Sequence, residues 1–174
     1  MKKCKRCNEA KLEEVLVEDH ADVAGHTFMA QLPGDRCTGC GAVAIEGCHV
    51  KRFELCIASE LAKAGHRGHA AFKFIRGVLG LEVNAVAQLC GVDAELVELW
   101  ESGRCPVDAR ACAMLGSLVL SRYEGRGASI DALALLRAPR TLARKMRLSL
   151  ENALAQAAKT LEFGSQARTA PAIC

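Results

Sequence analysis

Phe72-Lys-Phe-Ile-Arg-Gly-Val-Leu-Gly80-Leu-Glu-Val-Asn-Ala-Val-Ala87-Gln-Leu-Cys-Gly91-Val-Asp-Ala-Glu-Leu-Val-Glu-Leu-Trp100-Glu-Ser-Gly103 is the stretch on which the reading of this chain turns. Its apolar residues return at helical intervals broken by glycines, which predicts helices over about 70–79, 83–90 and 94–101. Leu81, Val86, Val92, Val97 and Trp100 supply the core of that segment. A further helix follows over 107–123, where Val107, Ala111, Met114, Leu115, Leu118 and Val119 make one apolar stripe. Upstream, Phe53, Ile57, Leu61 and Ala64 repeat at the same period and Gly65 supplies a stop, so a connecting helix and a His66–His69 linker occupy 49–69. Residues 1–48 change character: Glu14–Glu18 and His26–Leu32 read as strands around a polar turn at Gly25, and Pro33-Gly34 leads onward. Beyond 123, Ser129 is placed to cap a short helix that Pro139 ends. Leu150, Ala153, Leu154, Ala157 and Leu161 mark a last helix at 149–162. The expected fold is mainly α with a small β region at the N-terminus. A helical extension spans 124–162 and a frayed tail 163–174.

The order Arg76, Gly80-Leu81, Ala87, Gly91-Val92 and Trp100-Glu101-Ser-Gly103 resembles the XRE (lambda-repressor-like) helix-turn-helix family. That resemblance implies a helix-turn-helix domain over 70–123. Ala87 is small where the two helices of the motif cross, and Gly91 makes the turn between them. It also implies a partly buried ion pair between Arg76 and Glu101, and a helix capped by Gly103.

The N-terminal region carries different chemistry. Cys4-Lys-Arg-Cys7 and Cys37-Thr-Gly-Cys40 are two C-x2-C pairs separated by 29 residues. Tetrahedral Zn²⁺ takes four thiolates at about 2.3 Å, and each C-x2-C turn offers two of them. Gly39 and Gly41 suit a sharp turn at the second pair. Lys2, Lys3, Lys5 and Arg6 crowd the first, where positive charge favours thiolate and offsets the charge of a four-sulfur site. One structural zinc per chain, held by Cys4, Cys7, Cys37 and Cys40, is the expectation. The set is closed, with no spare donor pattern for an activated water. A ligand exchange with the adjacent Cys48-His49 is an alternative, as are a redox pair or buried free thiols. Cys56, Cys90 and Cys112 fall on helix stripes and read as small core residues.

Zinc pattern and helix-turn-helix, in this order, resemble the MqsA-type (YgiT-type) antitoxins and related one-component regulators over about residues 4–120. Gly25, Phe28 and Pro33 match strand and turn positions of the YgiT-type zinc finger. The resemblance implies a zinc-finger domain at 1–48 that is structural and engages a partner, a toxin in the antitoxin cases. It implies a homodimer whose helix-turn-helix binds an operator.

The recognition helix departs from what such readers need. Its exposed N-terminal part is expected to present Asp93, Ala94, Glu95, Glu98 and Leu99. Guanine is read by Arg or Lys and adenine by Asn or Gln, and none stands here. Glu95 can accept from a cytosine amino group and Leu99 can meet a thymine methyl. Three carboxylates, however, face a phosphate-lined groove, where affinity rests on neutralising phosphates. Lys73, Arg104 and Arg110 are the nearby cations. Charge is uneven along the chain: residues 1–69 carry ten basic and ten acidic groups, 70–120 four and six, and 121–174 nine and four. The run Arg137, Arg140, Arg144, Lys145 and Arg147 is therefore either a solvated face or a contact for phosphates or an acidic partner.

Ten cysteines without an export signal point to a reducing compartment, where metal binding outweighs disulfides. No apolar run reaches the roughly 18 residues that span a bilayer, so a cytoplasmic chain is expected. The five histidines form no i,i+4 pair and no nucleophile has a motif around it, which argues against an enzyme. Three readings stand: a DNA-binding regulator, a protein-interaction module that kept the fold and lost operator reading, and a thiol or zinc redox sensor.

Overall fold

The computed structural model describes residues 3–8, 12–124 and 141–148. Two 12-residue strands, β1 (Leu12–Val23) and β2 (His26–Cys37), pair in antiparallel register from Leu12 opposite Cys37 to Val23 opposite His26. Ala24 and Gly25 join them with positive φ at both, 53° and 81°, the backbone of a type I′ hairpin turn. Along β2 the burial alternates, and Phe28, Ala30 and Leu32 are almost fully excluded from solvent. Period-two alternation of this kind puts one face of the hairpin inward.

The other edge of β2 is shared by two short strands. The strand β3 (Val43–Ile45) runs antiparallel to the Gly34–Arg36 end. Five helices follow among the described residues: α1 (Gly47–Lys63), α2 (His69–Leu79), α3 (Val83–Cys90), α4 (Ala94–Glu101) and α5 (Ala109–Glu124). The strand β4 (Lys145–Arg147) then returns to lie parallel to β2, with Thr27, Phe28 and Met29 opposite Lys145, Met146 and Arg147. Its ends are held by Thr27 N–H donating to the Arg144 carbonyl at 2.9 Å and Leu148 N–H donating to that of Met29 at 2.7 Å. This corrects the expectation of a purely helical extension over 124–162: part of it is a strand of the N-terminal sheet. The helices expected at 129–136 and 149–162, the tail, Arg137 and Arg140 lie outside the described residues.

The helices end alike. After α1, α2, α3 and α4 the amides of His66, Leu81, Val92 and Arg104 return to the carbonyls of Leu61, Arg76, Ala87 and Leu99. This is the long-range hydrogen bond of a Schellman cap, which needs a left-handed residue just before it. At the α3–α4 turn that residue is Gly91, φ 67°. A side chain there would be strained, and the angle between the two helices depends on it.

Sheet and helices share one core. Phe28, Ala30 and Leu32 of β2 join Phe53, Ile57 and Leu61 of α1, Phe72 and Ile75 of α2, Val86, Val97 and Trp100 of α3 and α4, and Leu115 and Val119 of α5. Trp100 meets Phe72 edge-to-face, with centroids 5.8 Å apart, an arrangement favoured by the ring quadrupoles. The helices and the β1–β2 hairpin thus have no packing boundary between them.

Candidate metal centre and the exposed face of the fourth helix

The two cysteine pairs are built by matching turns. Asn8 N–H donates to the Cys4 carbonyl at 2.9 Å, and Gly41 N–H donates to the Cys37 carbonyl at 2.8 Å. In each case the donor stands four residues after the first cysteine and is left-handed, Asn8 at φ 62° and Gly41 at φ 70°. Asn is among the few side chains that visit this region routinely. Sequence reasoning placed glycine at the second turn and missed Asn8 at the first. At the second turn the left-handed residue is Gly41, while Gly39 has an ordinary φ.

The turns interleave their sulfurs. Cys4 Sγ lies 3.7 Å from Cys40 Sγ, and Cys7 Sγ lies 3.5 Å from Cys37 Sγ. All four fall within 4.8 Å of one another. A tetrahedron of 2.3 Å bonds has edges of about 3.8 Å, so the group has the size to hold a metal ion. Cys4 and Cys37 are buried, whereas Cys7 and Cys40 face solvent. The Cys4 thiol is brought down to about 6 by the backbone N–H groups of Cys7 and Arg6, helped by the Cys37 and Cys40 side chains. Arg6 N–H reaches its sulfur at 3.4 Å. Donors aimed at sulfur stabilise a thiolate, the form that binds metal. Burial pushes Cys56 and Cys112 the other way, each to about 11. Those thiols stay protonated within the helices, as small apolar residues do.

In the helical region Arg76 and Glu101 form a bidentate pair from α2 to the end of α4. Arg76 Nε donates to Glu101 Oε1 and Nη2 donates to Oε2 at 3.0 Å. The third donor, Nη1, bonds the Leu81 carbonyl at 2.6 Å. The two side chains are 16% and 9% exposed, which leaves little water to screen the pair. The guanidinium thereby fastens both the start of the α3 approach and the last turn of α4.

Of the residues expected on the recognition face, Asp93, Glu95, Glu98 and Leu99 are exposed. Ala94 is not on that face: it packs against the core from the first turn of α4. Lys73, Arg104 and Arg110 are exposed around α2 and the ends of α4 and α5. Leu89 of α3 is 56% exposed and adds an apolar residue the sequence reading did not place on the surface. Arg144, Lys145 and Arg147, the described part of the basic run, belong to the β4 segment, where Arg147 bridges to Glu18 at 3.1 Å. No helix among the described residues is long and apolar enough to cross a membrane. No protein-family model, no curated protein and no solved structure matches the chain.

Proposed function

We propose that the chain is a DNA-binding transcriptional regulator of the zinc-finger/helix-turn-helix antitoxin type, in which α3 and α4 form the helix-turn-helix and Cys4, Cys7, Cys37 and Cys40 hold a structural zinc. The observation that carries this reading is the α3–Gly91–α4 pair. Its second helix is anchored by Arg76 and keeps one face in solvent. Helix-turn-helix readers place such a face in the major groove, two-fold symmetric dimers presenting two of them a helical turn apart. The four sulfurs support zinc because they are all soft donors in a closed set, the donor composition of structural sites. Zinc there would tie the first residues of the chain to the hairpin and leave the chemistry to others.

The test is a fluorescence-anisotropy titration of genomic fragments at several salt concentrations. Binding should weaken steeply with salt. Glu95→Gln with Glu98→Gln removes two charges that repel phosphate and should raise affinity. Arg144→Ala with Lys145→Ala should flatten the slope of log K against log salt by roughly two units, at about 0.9 for each phosphate contact. Absence of binding to every fragment at low salt would overturn the DNA reading.

A specific observation favours a second reading. Asp93, Glu95 and Glu98 with the exposed Leu89 and Leu99 give α3 and α4 an acidic, partly apolar surface. Such a surface suits a basic protein partner, a toxin among them. Under it the two Glu→Gln changes weaken partner binding, so the same variants separate the readings by the sign of their effect.

A further inference from the structure

Beside the four-cysteine group stands a second set of donors of another composition. Glu46, Cys48 and His49 bring a carboxylate, a thiol and an imidazole within 4.8 Å of one another. Cys48 Sγ lies 3.7 Å from Glu46 Oε2. Their backbone is pinned where β3 passes into α1: the Glu46 carbonyl accepts from the N–H groups of His49 at 3.0 Å and Val50 at 3.4 Å. Glu46 occupies the N-cap position, yet its carboxylate makes no capping hydrogen bond and turns to Cys48 instead. Gly47 between them has open space where a side chain would stand. We propose that Glu46, Cys48 and His49 form a second, open metal site, selective for a borderline-soft divalent cation of the Zn²⁺ and Co²⁺ class.

The donor set decides the class. Thiolate and imidazole together favour zinc and its transition-metal neighbours over Mg²⁺ or Ca²⁺, which want oxygen. Bonds of about 2.0–2.3 Å put tetrahedral donors some 3.3–3.8 Å apart. Side-chain rotation of about an ångström therefore closes the set around an ion. Thiolate and carboxylate bring two negative charges, enough to outweigh the positive end of α1. Three protein ligands leave a fourth position, which the gap over Gly47 opens to water or to a donor from another molecule. A four-thiolate site is filled for the life of the fold. An exposed three-donor site instead fills and empties with the free metal concentration. Glu46 and Gly47 also line, with Cys4 and the cations of Lys3, Lys5 and Arg6, one cavity of about 640 Å³.

The experiment is a metal titration of the full chain, reduced and stripped of metal, with Zn²⁺ against competing chelators and with Co²⁺ followed by absorption. Two equivalents are expected: one resistant to moderate chelators, and one released by them. Cobalt should give a four-thiolate spectrum first and a weaker, blue-shifted mixed-donor spectrum second. Cys48→Ser and His49→Gln should each abolish the second equivalent and leave the first unchanged. These residues are only partly buried, so the fold should survive, and circular dichroism checks it. A single, chelator-resistant equivalent in the wild-type chain overturns the proposal, and so does a second equivalent that persists in both variants. A wild-type chain that binds only the weak, Cys48-dependent equivalent would overturn the four-cysteine reading and leave this one standing.

Discussion

Arg76 shows how much of the helical region hangs on one side chain. All three of its nitrogens donate, two to Glu101 and one to the Leu81 carbonyl. Truncating it orphans a carboxylate that is 9% exposed as well as a main-chain carbonyl. Breaking a buried pair from one side costs about 3–5 kcal/mol. Arg76→Ala or Glu101→Ala should therefore lower unfolding free energy by about 3 kcal/mol in urea titrations. Exchanging both for leucine should recover much of that loss, because an apolar pair of similar volume leaves no charge behind. A Glu101→Ala variant as stable as the parent would show that the guanidinium acts through the Leu81 carbonyl alone. The pair itself was legible in the Arg76…W-E-x-G order. Asn8 stands four residues after Cys4 as Gly41 does after Cys37 and is a residue type that takes the left-handed region, so the parallel was there to be read.

Among the elements, α1 to α5 could be read from their period, since each buries a stripe along its length, and α1 to α4 stop at a glycine. The long strands were legible only in part: the alternation in β2 is clear, but the polar ends of β1 concealed its full extent. β4 left no signal, because Lys-Met-Arg offers a single apolar residue and its partner strand lies at the other end of the chain. Met146 packs against the core and is that strand's inward anchor. Met146→Asp would bury a charge beside Phe28, so β4 should detach. The Thr27 amide, bonded to the Arg144 carbonyl, should then exchange with deuterium as fast as an open edge, while the amides between β1 and β2 stay protected. Continued protection of Thr27 would mean that hydrogen bonding holds β4 without its apolar contact.

Over the molecule as a whole, the shared core couples the cysteine-bearing end to the helices. The apolar residues of the helical stretch, read from the sequence, suggest a core independent of the hairpin. With Phe28, Ala30 and Leu32 set among residues of α1, α2 and α5, loosening the hairpin exposes the helices too. For a zinc-loaded chain as proposed, chelation, or Cys37→Ser, should lower the midpoint of a single thermal transition read by both near- and far-ultraviolet circular dichroism. Two separate transitions, the upper unchanged by chelator, would restore the picture of independent halves. This coupling was hidden because residue types mark a face as apolar without saying which distant face will cover it.

The pairing of β4 with β2 also sets an order of events in time. Thr27 to Met29 leave the ribosome early, and the residues that complete their edge are made only after all five helices. Until then the nascent chain carries an unpaired stretch of β2, a template for any other extended segment nearby. Long-range parallel pairing is slow to close for the same reason. The last strand among the described residues is thus the one that seals the sheet, and a chain cut short before residue 145 would be released with that edge open.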